Sequence, residues 1–330
     1  LQICATGRGP RSPNLMKRTS HESGSVLGID VGGTKIAAGV VSFPSGQVQA
    51  RRIIPTGAPR GGEAVLDDVV RLAKELILDG KSRGLNVEGL GLGLCELVDP
   101  AGQILSANCV SWHDRAVRER LSNLGPVTIE ADVRAAALAE AMFGAGKPFK
   151  QFLYVTVGTG ISCCLMIDGI PFTGARGAAG TMASSPLSVI CRKCGYLTTD
   201  TLEEISSGPG LVARLNERHP HGANSGQDVL AAAAAGQADA LEVVGSAGAA
   251  LGMMVGWLVS VLDPEAIVVG GGLGLSDGLY WQRFVASTRH HIWSNLHRDL
   301  PIVHAATGPD AGLIGAAAVV WRQLSMPKSA

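Results

Sequence analysis

The sequence predicts an α/β protein made of two similar lobes with a ligand cleft between them, and three observations lead there. The 330 residues are 46% hydrophobic and 17% charged, enough apolar material to bury two cores. The 44 glycines gather in clusters beside β-forming runs, which is where an α/β nucleotide-binding protein uses them. One pattern, apolar strand then glycine tip then apolar strand, occurs twice, in VLGIDVGGTKIAAGVV and again in FLYVTVGTGISCCLMIDG.

Taken in order, the opening LQICATGRGPRSPNLMKRTSHESGS has no apolar run of signal-peptide length, and residues 1–24 read as a disordered tail. The first hairpin follows. Asp30 stands two places before Gly32 and Gly33, and Thr34 and Lys35 add a hydroxyl and a cation. Bare glycine backbone lets a phosphate approach main-chain N–H groups closely, although a plain strained turn would look the same. Residues 63–78, EAVLDDVVRLAKELIL, place Val65, Val69, Leu72, Ala73, Leu76 and Ile77 on one helical face. Then GLGLGLCELVDPAGQILSA returns to strands around a turn at Asp99, Pro100, Ala101 and Gly102. Its GxGxG does not open a helix, so it is not a Rossmann fingerprint.

After GPVTIEAD an Ala-rich helix runs to Gly144 and Gly146. Asp132, at its start, has by position alone the place of an N-cap. The second glycine tip is Gly158, Thr159 and Gly160. Two such tips suggest one polyphosphate clamped between the lobes. Residues 243–262 are uncharged over a bilayer's length, but Gly and Ala dominate and the strand AIVVGGG follows Asp263 and Pro264, so a buried helix is expected. Its small residues would let a sheet or a nucleotide lie close. Gly270, Gly271 and Gly272 then offer backbone for a base or ribose, and a last helix begins near Asp310.

Charge excludes two classes of partner. Lys+Arg and Asp+Glu number 28 each, so neither a nucleic-acid footprint nor a polybasic membrane segment is present. The seven cysteines form no small-domain disulfide framework, and reduced thiols in a cytoplasmic setting are expected. Cys191 and Cys194 form a CxxC knuckle that is either half a zinc site or a pair of ordinary thiols. No GxxxxGK[ST] and no serine-nucleophile signature occur.

Together, GIDVGGTKIAAGVV, ELVDPAGQILSANCVSW, IEADVRAAALAEAMFGAG, YVTVGTGIS, DPEAIVVGGGL and GPDAGLIGAAAV resemble the actin and sugar kinase superfamily, and within it the ROK family of sugar kinases and repressors. The resemblance runs from about Val26 to Trp321. It implies a duplicated ribonuclease H-like, actin-like ATPase fold, with residues 25–135 and 311–330 in an N-terminal lobe and 136–310 in a C-terminal lobe. It implies ATP and Mg²⁺ as cofactors, a sugar or polyol acceptor with a primary hydroxyl, and a homodimer. Asp30 would orient the magnesium and its water, beside a phosphate site lined by Gly32, Gly33, Thr34 and Lys35, while Asp132 would take the proton of the sugar hydroxyl.

The match is degenerate on the sugar side. The asparagines that flank the family's aspartate are Ala131 and Arg134 here, the latter bringing a cation toward the reacting centre. Thr181 and Ser184 replace the Glu and His of the Glu-x-Gly-His segment, whose histidine also helps hold zinc. Glu203 keeps the carboxylate of Cys-Leu-Glu without its cysteine. Asn108 and Trp112 match residues that approach the sugar, and Glu96, where relatives have glycine, is either a replacement acid or a solvated loop residue. The expectation is an ATP-dependent sugar kinase, with a catalytically weak or inactive sugar-sensing protein as the alternative.

Overall fold

A computed structural model describes residues 23–112, 117–190, 193–195 and 197–325. The tail expected to be disordered and Cys191 of the CxxC knuckle lie outside the described residues, save that the first strand already begins at Gly24.

Two five-stranded sheets repeat one plan, and the second half adds a two-stranded sheet of its own. The first half runs β1 (Gly24–Val31), β2 (Lys35–Phe43), β3 (Gln47–Pro55), α1 (Gly62–Ser82), β4 (Val87–Leu94), α2 (Val117–Ser122), β5 (Val127–Ala131) and α3 (Asp132–Phe143). The second runs β6 (Gln151–Val157), β7 (Ile161–Ile167), β8 (Ile170–Pro171), β9 (Pro186–Ile190), β10 (Leu197–Thr201), α4 (Leu202–Ser206), α5 (Gly208–Asn216), α6 (Gly226–Ala234), α7 (Ala238–Leu262), β11 (Ala266–Gly270), α8 (Leu279–His291), β12 (Ile302–His304) and α9 (Ala311–Ser325). One 5-stranded sheet has the order β3-β2-β1-β4-β5, the other β12-β11-β6-β7-β8. In each, the first three strands form an antiparallel meander and the last two join in parallel. Read from the hairpin outward, the two orders are the same.

Helices α3 and α9 lie between the sheets and fill a shared core with Val26, Val41, Phe152, Tyr154 and Val268. Close approach explains several glycines that the sequence leaves unassigned. A side chain at Gly28 of β1 would collide with the Leu313 carbonyl of α9, one at Gly91 of β4 with the Ala316 carbonyl, and one at Gly315 of α9 with the Ala135 carbonyl of α3. The expected strand around residues 97–105 is reduced to a single antiparallel bridge between Val98 and Ile104, because Asp99 Oδ1 accepts from the Ala101 and Gln103 N–H groups and closes a tight turn.

α7 is the apolar segment with a bilayer's length, and half of its most hydrophobic window is buried inside the protein. Its small residues admit neither a sheet nor a nucleotide. Gly248, Gly252 and Gly256, spaced four apart, face the backbone carbonyls of Tyr280, Phe284 and Thr288, so α8 lies directly on this ridge. Asp263 ends α7 in the left-handed conformation at φ 49°.

Cys163 and Cys164 alternate across β7: the first packs in the core around α7, the second in the core between the sheets. Burial pushes both thiols up to about 12, so they serve as small apolar fillers. A surface cavity of about 720 Å³, lined in part by Lys150, Asp263 and His297, shares no residue with the site below.

Candidate active site

The first glycine tip is braced from outside. The Gly32 N–H donates to the Lys35 carbonyl at 3.0 Å, closing the turn between β1 and β2. Thr56, fully buried just past β3, donates its hydroxyl to the Gly32 carbonyl at 2.6 Å and its N–H to the Thr34 carbonyl at 3.0 Å. Neither Gly32 nor Gly33 has a positive φ, and a Cβ on Gly33 would meet only the Cys109 sulfur at an ordinary 3.7 Å. Conformation and packing therefore leave the glycine at 33 unexplained, whereas a ligand lying against its backbone explains it. Thr34 and Lys35 are exposed at the rim.

Asp30 points from the end of β1 at the start of α9, where a side chain on Gly312 would strike its carboxylate. Desolvation pushes it up to about 6, against the lowering pull of Lys35. No hydrogen bond to this carboxylate occurs among the described residues. Asp132 begins α3, taking the Val133 N–H at 2.6 Å. Burial, and then the negative charge of Asp30, push it up to about 7, inside the range a general base needs near neutrality. The two carboxylates thus share one electrostatic site at the junction of β1, α3 and α9.

Arg134, expected to bring a cation to the reacting centre, is buried, and its charge acts on Asp132, pulling that carboxyl down against the burial that raises it. Its guanidinium pairs with Glu130 at 2.5 Å and donates to the Gly177 carbonyl at 2.8 Å and the Val98 carbonyl at 2.6 Å. It clamps two loops to α3. Trp112 is likewise no sugar contact: it is fully buried, with its indole donating to the Gly62 carbonyl at 2.6 Å. Glu96 is neither solvated nor free. One oxygen accepts from the Ser106 hydroxyl at 2.5 Å and the Asn108 N–H at 2.8 Å, the other from the Cys109 and Val110 N–H groups at 2.6 and 2.9 Å. It shapes the loop that presents the exposed side chain of Asn108.

On the opposite side, the Gly158 N–H donates to the Gly160 carbonyl at 2.9 Å, and the Gly208 N–H, at the start of α5, donates to the Gly158 carbonyl at 2.9 Å. Thr159 and Gly160 are exposed. The Glu203 carboxylate, at the start of α4, accepts from the Ile161 N–H at 2.9 Å and sits where a side chain on Gly160 would crowd it at 3.0 Å. The third glycine cluster folds against this tip. Gly270 is buried under Tyr154 and offers no face to a ligand, Gly271 needs its φ of 83°, and around Gly272 nothing lies within 4 Å of a built Cβ. The open backbone is at Gly272, beside Gly158.

Thr181 and Ser184 are both exposed. Thr181 donates to the Ala178 carbonyl at 3.0 Å, and the neighbouring Ala183 carbonyl accepts from the Glu203 N–H at 3.0 Å. That brings the segment with Ser184 alongside Glu203. Cys194 is exposed, and its expected partner Cys191 lies outside the described residues.

Several contributors were invisible in the sequence. Thr56 carries no local signal. Gly312 has a weak one, a glycine just inside a helix start. Glu140 is a third: fully buried at the end of α3, it accepts from the Ala145 N–H at 2.7 Å, the Ala306 N–H at 3.0 Å, the Thr307 N–H at 2.8 Å and the Thr307 hydroxyl. It ties α3 to the approach to α9.

Two duplicated sheets, each offering a glycine tip to one side of a carboxylate pair, define the class of two-lobed actin-like ATPase folds. The chain belongs to the ROK family, whose model matches residues 26–323. A glucokinase of Halalkalibacterium halodurans is 29% identical over 317 residues, covering 90% of this chain and 95% of that protein. An N-acetylmannosamine kinase of Shigella boydii is 29% identical over 310 residues, covering 89% and 97%. Among solved structures, a ROK family glucokinase from Streptomyces griseus in complex with glucose and AMPPNP superposes with a TM-score of 0.76 at 26% identity, covering 90% of this chain and 99% of that one.

Proposed function

We propose that the protein transfers the γ-phosphoryl group of ATP to a hydroxyl of a hexose or N-acyl hexosamine. The observation that carries this reading is the isolated carboxylate pair, Asp30 and Asp132, between two glycine tips whose backbone is left open. Asp132 accepts the proton of the acceptor hydroxyl as its oxygen attacks the γ-phosphorus, the bond to the bridging oxygen breaks, and ADP leaves. The raised value of Asp132 suits it to hold that proton near neutral pH.

The N–H groups of Gly33, Thr34, Thr159 and Gly160, with the Thr34 hydroxyl and the Lys35 ammonium, hold the phosphates, and the base or ribose rests at Gly272. Asp30, with no protein donor on its carboxylate among the described residues, fits a role in holding Mg²⁺ through water. Bound there, the metal would neutralise phosphate charge. Asn108 and Glu203 face the acceptor, with Thr181 and Ser184 supplying hydroxyls where a longer acidic side chain and an imidazole would otherwise reach. A shorter, less charged wall favours an acceptor bulkier than glucose at that side, such as an N-acyl hexosamine.

The test is ADP release from ATP and Mg²⁺ across glucose, mannose, N-acetylmannosamine, N-acetylglucosamine and inositols. Turnover dependent on one of these sugars supports the proposal. Sugar binding by calorimetry without any turnover supports the sugar-sensing alternative instead.

A further inference from the structure

The rim of the site holds a reactive pair that phosphoryl transfer does not use. The Cys95 and Cys109 sulfurs, together with Glu96, lie within 4.8 Å of one another. The Cys95 backbone is tied to the sheet, its N–H donating to the Val31 carbonyl at 3.2 Å just past the end of β4, whereas Cys109 sits on a loop and its N–H donates to the Glu96 side chain at 2.6 Å. Each thiol is only partly buried. Glu96 is a poor third metal ligand, since each of its oxygens already takes two donors, so the chemistry belongs to the sulfurs. The closeness of the two thiols holds Cys109 below its ordinary value and Cys95 above it. The buried Cys163 and Cys164 lack such access.

We propose that Cys95 and Cys109 form a dithiol modification site that takes a low-molecular-weight disulfide and closes to an internal disulfide beside the first glycine tip. The Cys109 thiolate attacks one sulfur of the incoming disulfide, forming a mixed disulfide and releasing one thiol. Cys95 then gives up its proton and attacks the Cys109 sulfur, and the second thiol leaves. Two cysteine thiols and one disulfide become one internal disulfide and two small thiols.

Bond formation shortens the gap to about 2.05 Å. Cys95 is held at a strand end within the sheet, so the loop carrying Asn108 and Cys109 is the side that moves. That shift disturbs the Glu96 bonds and the acceptor wall. The effect on turnover, unlike the cross-link itself, rests on the kinase reading above.

The experiment treats the folded full-length chain with oxidised glutathione near about pH 8, where exchange is fast, then blocks free thiols and maps peptides without reduction. A Cys95–Cys109 linked peptide is expected, with C95S instead carrying glutathione on Cys109. Sugar-dependent ADP release should fall by about tenfold or more and return with dithiothreitol, and both C95S and C109S should lose that dithiothreitol-reversible cross-link. Cys95 and Cys109 recovered as blocked free thiols after Cys194 has reacted would overturn the site. So would a linked peptide formed equally fast in urea. Full turnover by the cross-linked protein would overturn the control. Absence of ADP release before oxidation counts against the kinase reading alone, because the peptide map decides the dithiol site without it.

Discussion

Asp132 combines two properties that oppose each other. As a buried carboxylate next to another, it is costly to ionise, and that cost is what would suit it to the proposed role of base near neutrality. Its value in the fold, about 7, lies above its ordinary 3.8, so the native state holds the proton where the unfolded chain has lost it. Stability from this group is therefore complete below about pH 4 and declines as pH rises to about 7. Asp132→Asn should raise the melting temperature at pH 8 by roughly 2–6 °C, with the gain vanishing toward pH 4 in calorimetric scans. For the parent, kcat/KM should climb with pH through about 7. Asp30→Asn removes a like charge, so the remaining activity should climb at a lower pH than in the parent. Glu96→Gln keeps the shape but weakens four loop contacts, and should raise KM for the sugar about tenfold with a smaller change in kcat.

At the scale of elements, glycine is the residue whose meaning the sequence shows least directly. The repeated hairpin and helices α1, α3, α7 and α9 are legible because apolar runs and Gly or Pro breaks agree along each stretch. The glycines within them serve different ends that look alike in one dimension. Gly28, Gly91 and Gly315 let α9 approach a sheet and α3, Gly248 to Gly256 seat α8, and at Gly33 and Gly272 a side chain would meet no close neighbour. Asp30 and Asp132 could be read as a pair because both end a strand at a glycine tip or helix start. Arg134, Glu96 and Trp112 could not, since whether a side chain turns toward the cleft or into a loop depends on partners far along the chain, such as Gly177, Ser106 and Gly62. Gly252→Leu should force α7 and α8 apart and lower stability by about 3 kcal/mol or more in urea unfolding, whereas the exposed Gly236, clear of any neighbour, should tolerate Asn with little change.

At the scale of the molecule, one half supplies Asp30 and the first glycine tip, and the other supplies the second tip and, at the start of α4, Glu203. Neither half carries the whole site. The junction runs through α3 and α9, where Glu140 gathers four donors from the segments that join them. Removing that acceptor strands buried N–H groups, and Glu140→Ala should cost about 3–5 kcal/mol in urea unfolding while the purified native fraction still binds nucleotide.

The most direct measurement is single-turnover phosphoryl transfer from ATP to the best acceptor, comparing the parent with Asp132→Asn at matched, saturating sugar and confirmed folding. Loss of the positioned base should slow the chemical step by about 10²–10⁴-fold while leaving sugar affinity within a few-fold. Equal rates in the two proteins would contradict the assignment of Asp132, and with it the account of why a buried carboxylate pair stands between two glycine tips.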